Sequence, residues 1–196
     1  MMRSIVSSYL KKTTMKDTLI IHPEDESTSF LKQIYSNRKN VLVVSGNVTK
    51  LALLNMVLEH DRVIMMGHGS PDGLLAMNQF ETDSPYIVDE SFKEILSKKN
   101  SIYIWCHADK FVNKYNLKGF YTGMFISEVG EAYYCGLPGT RHPEVDESNY
   151  FFSNLVGHHI DRKIEIIHKK VKEGYGKVAE FNTVANYNYN RLYLNS

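Results

Sequence analysis

Short apolar runs separated by helix-length amphipathic segments restrict this chain to a narrow set of folds. Thr18–His22 closes on Pro23, Val41–Val44 on Ser45-Gly46-Asn47, Arg62–Met66 on Gly67, and Ser101–Trp105 on Cys106-His107. Continuous apolar runs of this length suit strands buried on both faces of a parallel sheet. Between them lie helical patterns. Phe30, Leu31, Ile34 and Tyr35 follow the acidic, hydroxyl-rich Glu24–Thr28, and Leu51, Leu54, Val57 and Leu58 share one face of a second helix. Ser91–Glu94 has capping-box spacing, with Phe92, Ile95 and Leu96 continuing a third. Strand–helix alternation predicts right-handed crossovers and an α/β fold, its sheet mainly parallel with helices on both faces.

The rest of the chain extends this plan. Leu74–Met77 suits a short strand or hairpin arm, and Phe120–Thr122 a further strand. A helix over Ser127–Cys135, with Cys135 in the core, should stop at Gly136-Leu137-Pro138. Gly139–Val145 is expected as a loop. Asp146 is expected to cap one long helix carrying Tyr150, Phe151, Leu155, Ile160, Ile164, Ile167 and Val171. Lys177–Asn186 is expected to be helical and Tyr187–Asn190 to form an edge strand. A chain of 196 residues suits one domain, here 1–196, with 1–16 as a mobile arm and 146–196 as a helical extension packed on it.

Composition narrows the partners. A net charge of +1 gives no nucleic-acid footprint, and no run approaches the length of a membrane helix. The two cysteines, Cys106 and Cys135, are too few for a secreted disulfide scaffold. Met1–Lys12 lacks the long apolar centre of a signal peptide. The expectation is a cytoplasmic protein acting on a protein or peptide, without nucleic acid or membrane.

Two of the apolar runs end in reactive residues. Gly67-His68-Gly69-Ser70 follows one, and Cys106-His107-Ala108-Asp109 follows the other. If the two strands are neighbours, His68 and Cys106 leave the sheet side by side despite lying 106 − 68 = 38 positions apart. A free thiol is mostly protonated at neutral pH, so a nearby imidazole is needed to take its proton and later return it to a leaving group. Each residue alone is more often structural; the joint pattern favours a dyad. Asp72 and Asp109 lie near the pair in sequence and are candidates to orient His68 or contact a cationic substrate residue. A metal held by His68, Cys106, His107 and Asp109 lacks recognised ligand spacing, so no metal or cofactor is expected. Gly67-x-Gly69 is no dinucleotide fingerprint, because Pro71 disfavours an immediate helix.

A strand ending in His-Gly, a helix, then a strand ending in Cys resembles the caspase-like cysteine peptidases, the superfamily of caspases, legumains, gingipains and separases. Gly67-His68-Gly69-Ser70 looks most like the gingipain and separase motif. The resemblance covers roughly Thr18–Met124 in strand order and implies a caspase-like three-layer sandwich. It implies His68 as general base or acid, Cys106 as nucleophile, and the N–H groups of Gly69 and Cys106 as the oxyanion hole. Caspases place Gln-Ala before the cysteine and Arg-Gly after it; here Trp105 precedes, and His107-Ala108-Asp109 follows. The other expectation is a catalytically inactive caspase-like or flavodoxin-like α/β module that binds a protein partner.

Overall fold

The computed structural model describes residues 18–196, so the arm expected at 1–16 lies outside the described residues. The chain order is β1 (Thr18–Ile21), β2 (Val41–Val44), α1 (Lys50–Glu59), β3 (Val63–Met66), β4 (Gly69–Ser70), β5 (Gly73–Leu75) and β6 (Tyr86–Val88). It continues through α2 (Lys93–Leu96), β7 (Asn100–Ile104), α3 (Ala108–Lys114), β8 (Lys118–Thr122) and α4 (Val129–Tyr134). The last elements are α5 (His142–His159), α6 (Ile164–Ala179), α7 (Thr183–Tyr189) and β9 (Leu192–Asn195).

Six strands form the main sheet in the order β2-β1-β3-β7-β8-β9. The first five are parallel, and only β9 runs antiparallel, against β8. β4, β5 and β6 form a separate small antiparallel sheet. The strand order reverses direction between β1 and β3, so the crevice beyond their carboxyl ends is a topological switch point, where α/β sheets take ligands.

Alternate residues of the parallel strands feed two cores. Leu19, Ile21, Met65, Tyr103 and Trp105 pack with Leu53, Val57, Phe92 and Phe111 on one face. Ile20, Ile64, Ile102 and Ile104 pack with Phe152, Val156, Ile167, Val171 and Tyr175 on the other. The result is an α/β fold with helices on both faces of a mainly parallel sheet. Residues 146–196, expected as an extension, supply most of the helical layer on that second face.

Several local expectations are corrected. α1 buries Leu53 and Val57, while Leu51 and Leu58 are exposed; a leucine-rich helix offers several apolar rows, and the sheet selects one. The turn of helix after Glu24–Thr28 is a 3-10 helix over Ser29–Ile34. Asp89, not Ser91, starts the third helical segment, its carboxylate accepting from the Ser91 N–H at 3.0 Å. α5 starts at His142 with Pro143 in its first turn, and Asp146 lies inside it. The expected single long helix breaks between His159 and Ile164, where Arg62 donates to the carbonyls of Ile160 and Arg162. Tyr187–Asn190 is not a strand: Asn182 caps α7 by accepting from the Ala185 N–H at 2.9 Å, and Leu192–Asn195 is the edge strand.

His22, just after β1, is fully buried and hydrogen-bonded through Nδ1 to Tyr35 Oη at 2.9 Å, while its Nε2 has no partner. Burial pushes its pKa from 6.5 down to about 4. The unfolded chain therefore binds a proton that the folded one refuses, and stability present above pH 6.5 is lost as pH falls towards 4. The shift corresponds to about 3 kcal/mol. Urea unfolding should show this loss across that window, and it should shrink in His22→Phe relative to wild type. An equal acid slope in both proteins would refute the assignment.

Candidate active site

The register of β3 against β7 brings the strand ends that precede His68 and Cys106 side by side. Met66 pairs with Ile104, and the Gly67 N–H donates to the Ile104 carbonyl at 3.0 Å, carrying the parallel ladder one step further. His68 and Cys106 each stand two residues beyond that last pair and line one cavity of about 20 Å³, together with Thr28, Phe30, Leu31, Ile104, Phe125 and Ser127. Immediately after the cysteine, His107 adopts a left-handed conformation (φ 67°, ψ 25°), which turns the strand sharply into α3. For a non-glycine residue that conformation is sparsely populated and must be held by its surroundings.

Asp25 is the carboxylate on His68. Its Oδ2 lies 2.9 Å from His68 Nε2, and Ser27 Oγ lies 2.7 Å from the same nitrogen. Ser27 Oγ donates its proton to Asp25 Oδ1 at 3.0 Å, so both oxygens near the ring act as acceptors. That arrangement selects the tautomer with the proton on Nε2 and leaves Nδ1 as the basic nitrogen. Burial disfavours the Asp25 charge. Hydrogen bonds from the Thr28 N–H and hydroxyl and from Ser27, with the His68 ring, outweigh it and hold the carboxyl below its usual range.

Neither carboxylate expected from the sequence is the one bonded to His68. Asp72 lies in the β4–β5 turn and reaches Lys114 at 3.4 Å, with both side chains more than half exposed. Asp109 lies on α3 with a buried, unpartnered Oδ1. Sequence spacing hid Asp25 because Glu24–Thr28 has the composition of a helix start. Strand order would have exposed it, since β1 pairs with β3 (Ile21 with Met65) and delivers its following residues to the edge that releases His68.

Gly69 serves both packing and hydrogen bonding. A Cβ there would sit 2.1 Å from Trp105 Cδ1, and the indole Nε1–H donates to the Ser70 carbonyl at 3.1 Å. The Trp105 ring packs edge-on against Tyr103 and Phe111, so Trp105 anchors the β4–β5 hairpin to the core. Gly69 faces Leu74, and the Leu75 N–H donates to the His68 carbonyl at 2.9 Å. This makes Gly69–Leu74 the non-hydrogen-bonded pair of the ladder, so the Gly69 N–H is not spent on β5.

The sulfur is held firmly. Cys106 Sγ donates towards the Phe125 carbonyl at 3.4 Å and lies 3.7 Å from Glu131 Oε1. Burial pushes the thiol up to about 12, and the Glu131 carboxylate adds to the rise. The wall carrying Phe125 is itself clamped. Asn188, fully buried on α7, accepts from the Ile126 N–H at 2.7 Å and donates to the Ile126 carbonyl at 2.9 Å. Asn149 donates to the Ser127 carbonyl, and Glu131 Oε2 accepts from the Ser127 N–H and hydroxyl. Cys135 is a free, half-buried thiol packed beside a satellite core of Ile126, Ala132, Val145 and Val184.

Among the described residues, no group of three His, Cys, Asp or Glu is placed to hold a metal, and no helix is long and apolar enough to cross a membrane. A scan against protein-family models finds no match to the chain, and no curated protein matches it.

Two outcomes test this account. Iodoacetamide labelling of Cys106 should keep accelerating past about pH 10 instead of levelling near about 8.5, and Glu131→Gln should speed it roughly threefold or more near neutral pH. A plateau near the ordinary thiol range would disprove the neutral, carboxylate-flanked thiol. Asn188→Ala leaves both polar groups of buried Ile126 without their clamp and should cost about 2–4 kcal/mol in urea unfolding. A loss below about 0.5 kcal/mol would show that the wall does not depend on it.

Proposed function

We propose that the protein is a caspase-like cysteine peptidase in which Cys106 is the nucleophile, His68 the general base and acid, and Asp25 the group that orients His68. The observation that carries this reading is a single cavity lined by His68 and Cys106, with Asp25 on His68 Nε2. Three residue types in these roles, delivered by neighbouring loops at a switch point, suit acyl transfer.

The thiol rests protonated, so its proton leaves during attack. Sγ adds to the carbonyl carbon of the scissile bond while His68 Nδ1 takes the thiol proton. The N–H groups of Gly69 and Cys106 are the donors for the resulting oxyanion. The tetrahedral species collapses with cleavage of the C–N bond, and the imidazolium gives its proton to the departing amine. Water then attacks the thioester, passing a proton to His68. Cleavage of the C–S bond releases the acid, and the imidazolium returns the proton to sulfur. Asp25 supports the imidazolium in both halves by holding Nε2–H.

One observation favours the inactive, partner-binding module: Cys106 Sγ is engaged by Phe125 and Glu131, and its proton is held tightly. Proteome-wide cleavage profiling against Cys106→Ala separates the two. The peptidase produces new termini that the variant does not. Asp25→Asn should lower kcat by roughly 10- to 1000-fold with a smaller change in KM. Identical termini from wild type and Cys106→Ala would end the peptidase reading and leave the binding module.

A further inference from the structure

The cavity beside the dyad also constrains the substrate. Its two hydroxyls are committed elsewhere: Thr28 Oγ1 donates to Asp25 Oδ1 at 2.9 Å, and Ser127 Oγ donates to Glu131 Oε2 at 3.0 Å. Apart from His68 and Cys106, the remaining residues that line it are apolar: Phe30, Leu31, Ile104 and Phe125, with Gly67 and Trp105. Among the described residues, no Asp, Glu, Lys or Arg side chain lines the space. At about 20 Å³ it has room for a group of roughly water or methyl size.

The walls are not free to retreat. Leu31, Ile104 and Phe125 are part of the core on that face of the sheet, and the Phe125 ring packs on Phe152 at 4.6 Å between centroids. The backbone behind Phe125 is held by Asn188 at Ile126 and by Asn149 at Ser127. Phe30 is the half-buried wall, packed against that core but not among its buried members.

We infer that this cavity receives the side chain of the residue contributing the scissile carbonyl, and that the residue is small and uncharged: glycine, alanine or serine. A carboxylate or guanidinium there would lose its hydration with no partner of opposite charge in compensation. A branched or aromatic side chain would overfill a space three of whose walls, Leu31, Ile104 and Phe125, belong to the buried core. The inference rests on the thiol-hydrolase reading and goes beyond it by naming the substrate class.

Peptidyl acyloxymethyl ketones differing only in that residue test it, with Cys106 adduct formation followed by mass spectrometry on the full chain. The alanine probe should label Cys106 at least about tenfold faster than the leucine, aspartate or arginine probes. In Phe30→Ala the leucine-to-alanine rate ratio should rise roughly tenfold. Faster labelling by the aspartate, arginine or leucine probe overturns the small-residue assignment while leaving the nucleophile in place. Failure of every probe to modify Cys106, with the protein folded by circular dichroism, overturns the hydrolase reading and this inference together.

Discussion

Parallel pairing of β3 with β7 is the constraint on which the site depends. Its register sets Met66 opposite Ile104, and the Gly67–Ile104 hydrogen bond extends it. Because side chains alternate along a strand, a one-residue slip would exchange the two buried faces of β7, sending Trp105 into the wrong core and rotating Cys106 away from His68. Burial on both faces makes that slip costly. The same packing that stabilises the sheet therefore holds His68 and Cys106 at neighbouring strand ends.

Around that pairing the chain builds two supports. On one face Trp105 fills the space that only Gly69 leaves open and holds the hairpin by its indole N–H. On the other, helices from the last third of the chain clamp the segment from Phe125 to Ser127 through Asn149 and Asn188. The cavity is thus bounded by one loop tied to β1 and another tied to the helical layer. The imidazole is oriented by a carboxylate held in the charged form, while the sulfur is kept as a thiol by burial and a second carboxylate. In the proposed peptidase, separating the two states in this way would place the burden of activation on proton transfer during attack rather than on a resting ion pair.

Elements with strong one-dimensional signals were legible, and those defined by competition were not. The apolar runs at β1, β2, β3, β7 and β8 need no partner to be recognised, since their length and bounding turns suffice. The face of α1 is not legible in the sequence, because its leucines allow more than one apolar row and only contact with the sheet chooses Leu53. The break between α5 and α6 carries no proline or glycine; it follows from the need to reverse the chain over the sheet and from Arg62 reaching the freed carbonyls. The alternating Tyr-Asn stretch imitates a strand, yet the Asn182 cap upstream starts a helix through it.

By itself the sequence determined the α/β class and set His68 and Cys106 just beyond two apolar strand runs, because local hydrophobic patterning acts within a few residues. Tertiary structure alone decided that the two line one cavity, that Asp25 rather than Asp72 or Asp109 holds the imidazole, and that Glu131 lies against the sulfur. Those outcomes depend on strand order and helix docking. They are settled by which buried surfaces fit together over long sequence separations, and no local pattern encodes that.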